Sequence, residues 1–410
     1  MNILFLAHRI PFPPDKGEKI RAYQELRFLG SRHTVDLFAF ASPEEQAAGR
    51  PALAPFCREM HFENLGRKAA LVRAARSLLT GSPFTTGYYF STAMAKAVDE
   101  ALSRNQYDAV FVYCSAMAPY IADFARIPVC VDFVDSDASK WAQYARFTSF
   151  PISWIFAREA RKLGRYEREV ARAARVSWVS TPLEIEAIDP DGRLGVRALE
   201  NGVSLPELEV GAPSPEIASL GSFVVFVGQM DYLPNVDAAC YFAEQILPRI
   251  HRTHSDLRFV VVGRNPSPRV CRLAALPGVT VTGTVPDVQP YLRSAVAAVA
   301  PFRICQGVQN KILEALAIGL PVVATPRPAR AVGATANELL FVAQQPEDFA
   351  KAVVSVLETP QLRQNLSGRG FVERRFDWER NLEPLERWLL EAAGERSWTP
   401  GQAVENAAAC

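Results

Sequence analysis

The chain has 410 residues, 49% hydrophobic and 22% charged, with a formal net charge of +1. That length exceeds one ordinary core and points to about two domains of 150–200 residues, while a near-neutral charge supplies no field to hold nucleic acid. Seven scattered cysteines without a CxxC pair and five histidines without an HExxH pattern predict reduced thiols in a cytoplasmic protein and no metal centre.

The opening MNILFLAHRI has no basic leader, and its short apolar run falls far below the ~20 residues of a spanning helix. It reads instead as the first of a series of apolar runs bounded by turn residues. NILFLA (2–7), TVDLFAF (34–40), AVFVYC (109–114), VCVDFV (129–134) and VSWVS (176–180) follow one another in the first half. SFVVFVG (222–228), LRFVVVG (257–263), VTVTG (279–283), AVAAVAP (295–301) and PVVAT (321–325) repeat the grammar in the second. Helical patterns lie between them, so each half is expected to be an α/β domain with a doubly wound parallel sheet. Pro, Gly and charged residues interrupt the pattern at 188–215. The expected division is a domain over 1–200, a second over 201–375, a helix over 376–393 and a frayed tail over 394–410.

Ligands of such sheets lie beyond the carboxyl ends of the strands. After the first strand, Gly17 opens a helix whose Lys19 and Arg21 read as exposed charges able to meet an acceptor phosphate. After the fourth, VDFVDSDASKWAQY (131–144) crowds Asp132, Asp135 and Asp137 into six residues. Asp132 reads as structural; Asp135 and Asp137 are expected to orient an acceptor or polarise its hydroxyl. The helix over Arg158–Arg175 is basic, but Glu159, Glu167 and Glu169 favour an ordinary solvated face over lipid contact.

In PFRICQGVQNKILEALAIGLPVVAT (301–325) a loop passes Arg303 and Gly307 into a helix over 308–318 that stops at Gly319. Ile312, Leu313, Leu316 and Ala317 form its inward stripe, with Lys311 and Glu314 away from the centre. An i,i+3 ion pair is one explanation. The other is that Arg303, Lys311 and the helix N-terminus hold a phosphate-bearing ligand while Glu314 accepts hydrogen bonds from ribose hydroxyls.

The pattern Arg303-x3-Gly307-x2-Asn310-Lys311-x2-Glu314-Ala-x3-Gly319-x-Pro-Val-Val-Ala resembles the nucleotide-sugar motif of the family-four retaining glycosyltransferases. The Gly17 loop, Asn201-Gly202-Val203, FVGQMDYLPNVDA (226–238), VVGRNPSP (261–268) and VTGTVPDVQPYL (281–292) agree in order and spacing. The chain is most similar to the exosortase-associated sugar transferases of bacterial exopolysaccharide loci. The resemblance implies two facing Rossmann-like domains (the GT-B fold), with the C-terminal helix packing back towards the N-terminal domain. It implies a nucleotide diphosphate sugar donor, a glycan or lipid-linked glycan acceptor, retention of configuration, and no metal or cofactor. It also implies peripheral contact with the inner face of the plasma membrane. Carried over onto this sequence, donor binding falls to Gly228, Gln229, Asn235, Arg264, Arg303, Gln306, Gly307, Val308, Lys311 and Glu314. Acceptor binding falls to Gly17, Lys19 and Arg21, and catalysis to Asp135, Asp137 and Lys311.

Three positions depart from the pattern. Gln306 replaces a glutamate eight positions before Glu314, and Gln229 and Asn235 replace an Arg and Lys pair. Asn235 is also placed to cap a helix. Asp135-Ser136-Asp137 resembles the metal-binding DxD of the other major glycosyltransferase fold, which the two-domain grammar disfavours. A nucleotide-sugar 2-epimerase or a non-catalytic glycan-binding scaffold would use the same frame. No strand is followed by GxGxxG, which argues against a nicotinamide enzyme.

Overall fold

The computed structural model describes residues 1–204, 214–333, 340–361 and 367–394. The chain divides into two units, one formed by Met1–Asn201 together with the segment from Trp378 onward, the other by Gly202–Asp377. The tail expected over 394–410 lies outside the described residues apart from Gly394, and the interrupted stretch at 188–215 is described only to 204 and from 214.

The first unit is built on seven parallel strands in the order β3-β2-β1-β4-β5-β6-β7. They are β1 (Asn2–Ala7), β2 (Thr34–Phe40), β3 (Glu59–Glu63), β4 (Ala109–Tyr113), β5 (Val129–Asp132), β6 (Val176–Val179) and β7 (Arg197–Ala198). Alternate residues serve opposite faces, as the pleat requires. Ile3, Phe5 and Ala7 join one core with Leu37 and Phe111, while Leu4 and Leu6 join another with Phe38 and Val112. Burial on both faces is why these strands read as continuous apolar runs.

The helix Trp378–Gly394 completes the first of those cores. Its Leu382, Leu385, Trp388 and Leu389 are buried there, and the Trp388 ring lies 5.7 Å from that of Trp178. The first unit is therefore assembled from both ends of the chain.

The second unit holds six parallel strands in the order β10-β9-β8-β11-β12-β13. They are β8 (Phe223–Val227), β9 (Arg258–Val262), β10 (Val279–Gly283), β11 (Ala297–Ala300), β12 (Val322–Ala324) and β13 (Leu340–Val342). In each sheet the order reverses beside a central strand, between β1 and β4 in the first and between β8 and β11 in the second. These reversals open the crevices where doubly wound sheets take ligands. β3, β7 and β13 have no counterpart among the apolar runs of the sequence. All three are edge strands, paired on one side only, so a short or polar segment such as EMHFE suffices.

The helix Ile152–Ala173 corrects the reading of its charges. Glu159 and Glu167 are buried, not solvated. Glu159 accepts from Phe84 N (2.8 Å), Thr85 N (2.9 Å) and Thr85 Oγ1 (2.7 Å). Glu167 accepts from Ser136 Oγ (3.0 Å) and Ala138 N (3.2 Å), and burial beside Asp137 pushes its carboxyl up to about 8.

Candidate functional site

At the carboxyl ends of β8 and β9 the backbones almost touch. Gly228 N donates to Val262 O (3.0 Å), and a methyl carbon built on Gly263 would stand 1.7 Å from Gly228 O. Only glycine permits that approach. A methyl carbon on Gly228 would in turn stand 2.8 Å from Asn235 Nδ2 and 2.9 Å from Lys311 Nζ, so Gly228 forms the floor beneath both side chains.

Asn235 is the third residue of the helix Leu233–Tyr241, which is entered from Tyr232; Asn235 is not its cap. Its Nδ2 donates to Gln229 O (2.9 Å) and its Oδ1 accepts from Lys311 Nζ (2.8 Å). Lys311 lies in the first turn of the helix Asn310–Ala317, shorter than the 308–318 expected. Its ammonium sits over the rings of Phe226 (4.5 Å) and Phe302 (4.8 Å), and Glu314 acts on it through charge without a hydrogen bond. Burial lowers the Lys311 pKa to about 7, against the opposing pull of Cys305 and Glu314. Burial likewise raises Glu314, with Lys311 opposing. A lysine in this apolar frame, without an ion-paired carboxylate, would gain from an anion placed beside it.

Arg303 is committed differently. Its Nε and Nη2 donate to Asp237 Oδ2 and Oδ1 at 3.0 and 2.5 Å, and its guanidinium lies 4.6 Å from the Tyr241 ring. That fork fixes the orientation of the side chain, 39% of which remains exposed. Gly307, at φ +59°, turns the loop towards the Asn310–Ala317 helix, and Val308 packs into the core of this unit. Gln306 Oε1 accepts from Arg327 Nη2 (3.2 Å), but Gln306 Nε2 is buried without a partner among the described residues. Arg264 follows β9, and its carbonyl accepts from Met230 N (2.9 Å).

In the first unit the acceptor candidates separate. Gly17 begins the helix Gly17–Gly30, and a methyl carbon there would meet nothing within 4 Å. Lys19 and Arg21 are not exposed: both are buried. Lys19 Nζ is paired with Glu45 (2.8 Å). Arg21 donates to Asp132 (2.6 Å), Leu199 O (2.8 Å) and Asn201 Oδ1 (2.6 Å), with Glu25 3.2 Å away. Its charge holds the interior together, which removes it as a phosphate ligand.

Asp135 accepts from Ser180 Oγ (2.5 Å), and burial raises its pKa. Asp137 begins the helix Asp137–Arg146 and pairs with Lys140; although burial pushes its carboxyl up, Lys140 and His8 hold it below the usual range. The two strand ends that frame this corner carry left-handed backbone at non-glycine residues, Cys114 (φ 75°) and Val134 (φ 65°). For a β-branched valine this is a true outlier, of the kind that concentrates at functional sites.

One residue escaped the sequence reading, which weighed histidines only as metal ligands. His8 follows β1 directly, is 8% exposed, and its Nδ1 has no partner among the described residues. The ring stacks on Tyr113 (5.9 Å) and meets Tyr89 edge-on (5.3 Å). Burial lowers its pKa to about 4, with Glu18 and Asp137 opposing and Arg9 and Lys140 reinforcing. The usable signal was position, since a residue directly after the central strand stands at the ligand-bearing edge. Among the described residues no group of three or more His, Cys, Asp or Glu is placed to hold a metal ion.

Residues 221–359 match the protein-family model described as glycosyl transferases group 1. Among solved structures the chain is similar to HepE from Anabaena in complex with UDP and glucose, with a TM-score of 0.64 and 14% identity over 95% of this chain and 100% of that one. It is also similar to sucrose-phosphate synthase from Thermosynechococcus elongatus (TM-score 0.67, 14% identity, 96% and 100% covered). TarM is a third (TM-score 0.65, 11% identity, 95% and 98% covered). No curated protein matches the sequence. The fold is thus the twin-sheet GT-B architecture. Within the second unit, residues 221–359 carry a glycosyl transferases group 1 domain.

Proposed function

We propose that the protein is a retaining hexosyltransferase of family four. It moves a hexosyl unit from a nucleotide diphosphate sugar to a hydroxyl of a lipid-linked glycan in bacterial exopolysaccharide synthesis, peripherally at the inner face of the plasma membrane. The observation that carries this reading is Lys311, held by Asn235 above Gly228 and in no ion pair with Glu314.

Breaking the anomeric bond builds positive charge on the sugar ring and negative charge on the departing diphosphate. Lys311 and the N–H groups opening its helix stabilise the diphosphate without a divalent ion. Arg303, pre-oriented by Asp237, adds a second cation. Glu314 accepts from the ribose hydroxyls, and Gln306 Nε2 donates to the donor sugar where the family pattern places a carboxylate. In the first unit Gly17, Asp135 and Asp137 serve the acceptor. No residue stands out as a covalent nucleophile, so the acceptor oxygen attacks from the face the diphosphate leaves, and its proton passes to a departing phosphate oxygen.

Calorimetry with UDP-, GDP- and ADP-sugars, with and without EDTA, tests the donor half. One of them should bind, EDTA should leave binding unchanged, and Lys311→Ala and Glu314→Ala should each weaken it by about tenfold or more without unfolding the chain. Equal affinity of both variants for every nucleotide would remove these residues from the site. NMR of the product with a lipid-linked acceptor reads the anomeric configuration.

A further inference from the structure

We propose that one face of the first unit, made by the helix Arg67–Thr80 and the start of the helix Ile152–Ala173, docks on an anionic phospholipid bilayer. The proposal rests on the peripheral placement put forward above and names the surface responsible.

The five most exposed large apolar side chains among the described residues lie on these two helices or, for Phe150, in the turn that leads into the second. Phe150, Trp154 and Ile152 are 82, 57 and 51% exposed, and Leu71 and Val72 are 55 and 53% exposed. Aromatic and aliphatic side chains carried together into solvent mark a contact surface, and a tryptophan suits the headgroup level.

The charges around them have one dominant sign. The helix Arg67–Thr80 contains Arg67, Lys68, Arg73 and Arg76 and no acidic residue. Arg146 precedes the aromatic tip, and no acid occurs from 146 to 158. Further along, Arg161, Arg165 and Arg172 form the exposed stripe. With Glu159 and Glu167 turned inward, only Glu169 interrupts that stripe. Of the three carboxylates that made this helix look like an ordinary solvated face in the sequence, only Glu169 is on its surface.

Arg158 joins the two helices, donating to Ser77 O (3.3 Å) and to Ser82 O (3.4 Å) just beyond the first, and Glu159 holds the backbone at Phe84 and Thr85 that follows. Among the described residues no helix is long and apolar enough to cross a membrane, so contact through this face would be interfacial. A second copy of the chain fits it poorly, because like-charged arginines would be brought together. An anionic headgroup layer complements both the cations and the apolar tip.

Flotation of the full chain with phosphatidylcholine vesicles, with and without 30% phosphatidylglycerol, tests the surface. Wild-type protein is expected to float with the anionic vesicles and to be released as salt rises from about 0.1 to 0.5 M. Phe150→Glu/Trp154→Glu and Arg161→Glu/Arg165→Glu are each expected to lower partitioning by about tenfold or more. Their thermal midpoints should match wild type, since the residues are exposed. Wild-type binding that both variants retain would overturn the surface and leave the peripheral placement standing. Absence of wild-type binding would overturn both. A dimer that Phe150→Glu/Trp154→Glu dissolves would reassign the face to a second copy. Nucleotide calorimetry reads the donor site separately.

Discussion

Lys311 Nζ donates to Asn235 Oδ1 at 2.8 Å, across two helices, and does not pair with Glu314 three residues along its own. A neutral amide orients the ammonium but does not neutralise it, which leaves the charge for a ligand.

That arrangement is costly to the free protein. Burial favours the neutral amine, so between pH 7 and about 10.4 the unfolded chain holds a proton that the folded chain lacks, and stability rises with pH across that window. Lys311→Met should flatten the rise. It should also stabilise the fold by about 1 kcal/mol at pH 7 while abolishing nucleotide binding. Thermal unfolding from pH 6 to 10 with matched calorimetry reads both.

Ligand binding should show the reverse linkage. A diphosphate beside Lys311 favours the ammonium, so binding above pH 7 takes up a proton and affinity falls as pH rises. The limiting slope is about tenfold in Kd per pH unit, measurable from pH 7 to 9 and from the buffer dependence of the binding enthalpy. A pH-independent Kd would place the diphosphate away from Lys311.

Gly263→Ala should be among the most damaging single substitutions. Its methyl carbon would stand 1.7 Å from Gly228 O, a backbone atom that can move only by parting the ends of β8 and β9. A loss of about 3 kcal/mol is expected, read as a lowered denaturant midpoint. Gly17→Ala meets open space, so its effect should be confined to acceptor use.

The apolar runs disclosed the central strands because a parallel sheet covered on both faces needs apolar side chains throughout. Three of the four edge strands among the described residues escaped, for the opposite reason: EMHFE faces partial solvent, and Arg197–Ala198 is too short to show a period. Lys311, Glu314 and Gly307 were legible from spacing within one loop and helix. The Asn235 to Lys311 contact was not, since 75 residues intervene, and helix position alone suggested a cap. Lys19 and Arg21 read as exposed because a helical charge without a visible partner reads so, whereas their partners Glu45 and Asp132 come from distant segments.

Arg21→Met should expose that role. It leaves Asp132 buried against Glu25, whose carboxyl burial and the Asp132 charge already push well up. Losing the shared cation should destabilise by about 3–5 kcal/mol, and Arg21→Lys should rescue little because it cannot reach Leu199 O and Asn201 Oδ1 together with Asp132. An unaltered unfolding midpoint with a raised acceptor KM would instead restore Arg21 to the acceptor site.

His8 separates stability from function by pH. Its folded pKa of about 4 lies below the 6.5 of the free side chain, so between those values the unfolded chain holds the extra proton. The stabilisation is complete above pH 6.5 and fades as pH falls towards 4, by about 3 kcal/mol over the window. His8→Phe keeps the ring contacts with Tyr113 and Tyr89 and removes the titration, so its stability should be flatter from pH 7 to 4 than that of wild type. Parallel curves would show that another group titrates. The same variant tests Nδ1: if that nitrogen accepts from the acceptor hydroxyl, kcat falls while the Kd of the donor, proposed to bind the second unit, stays where it was.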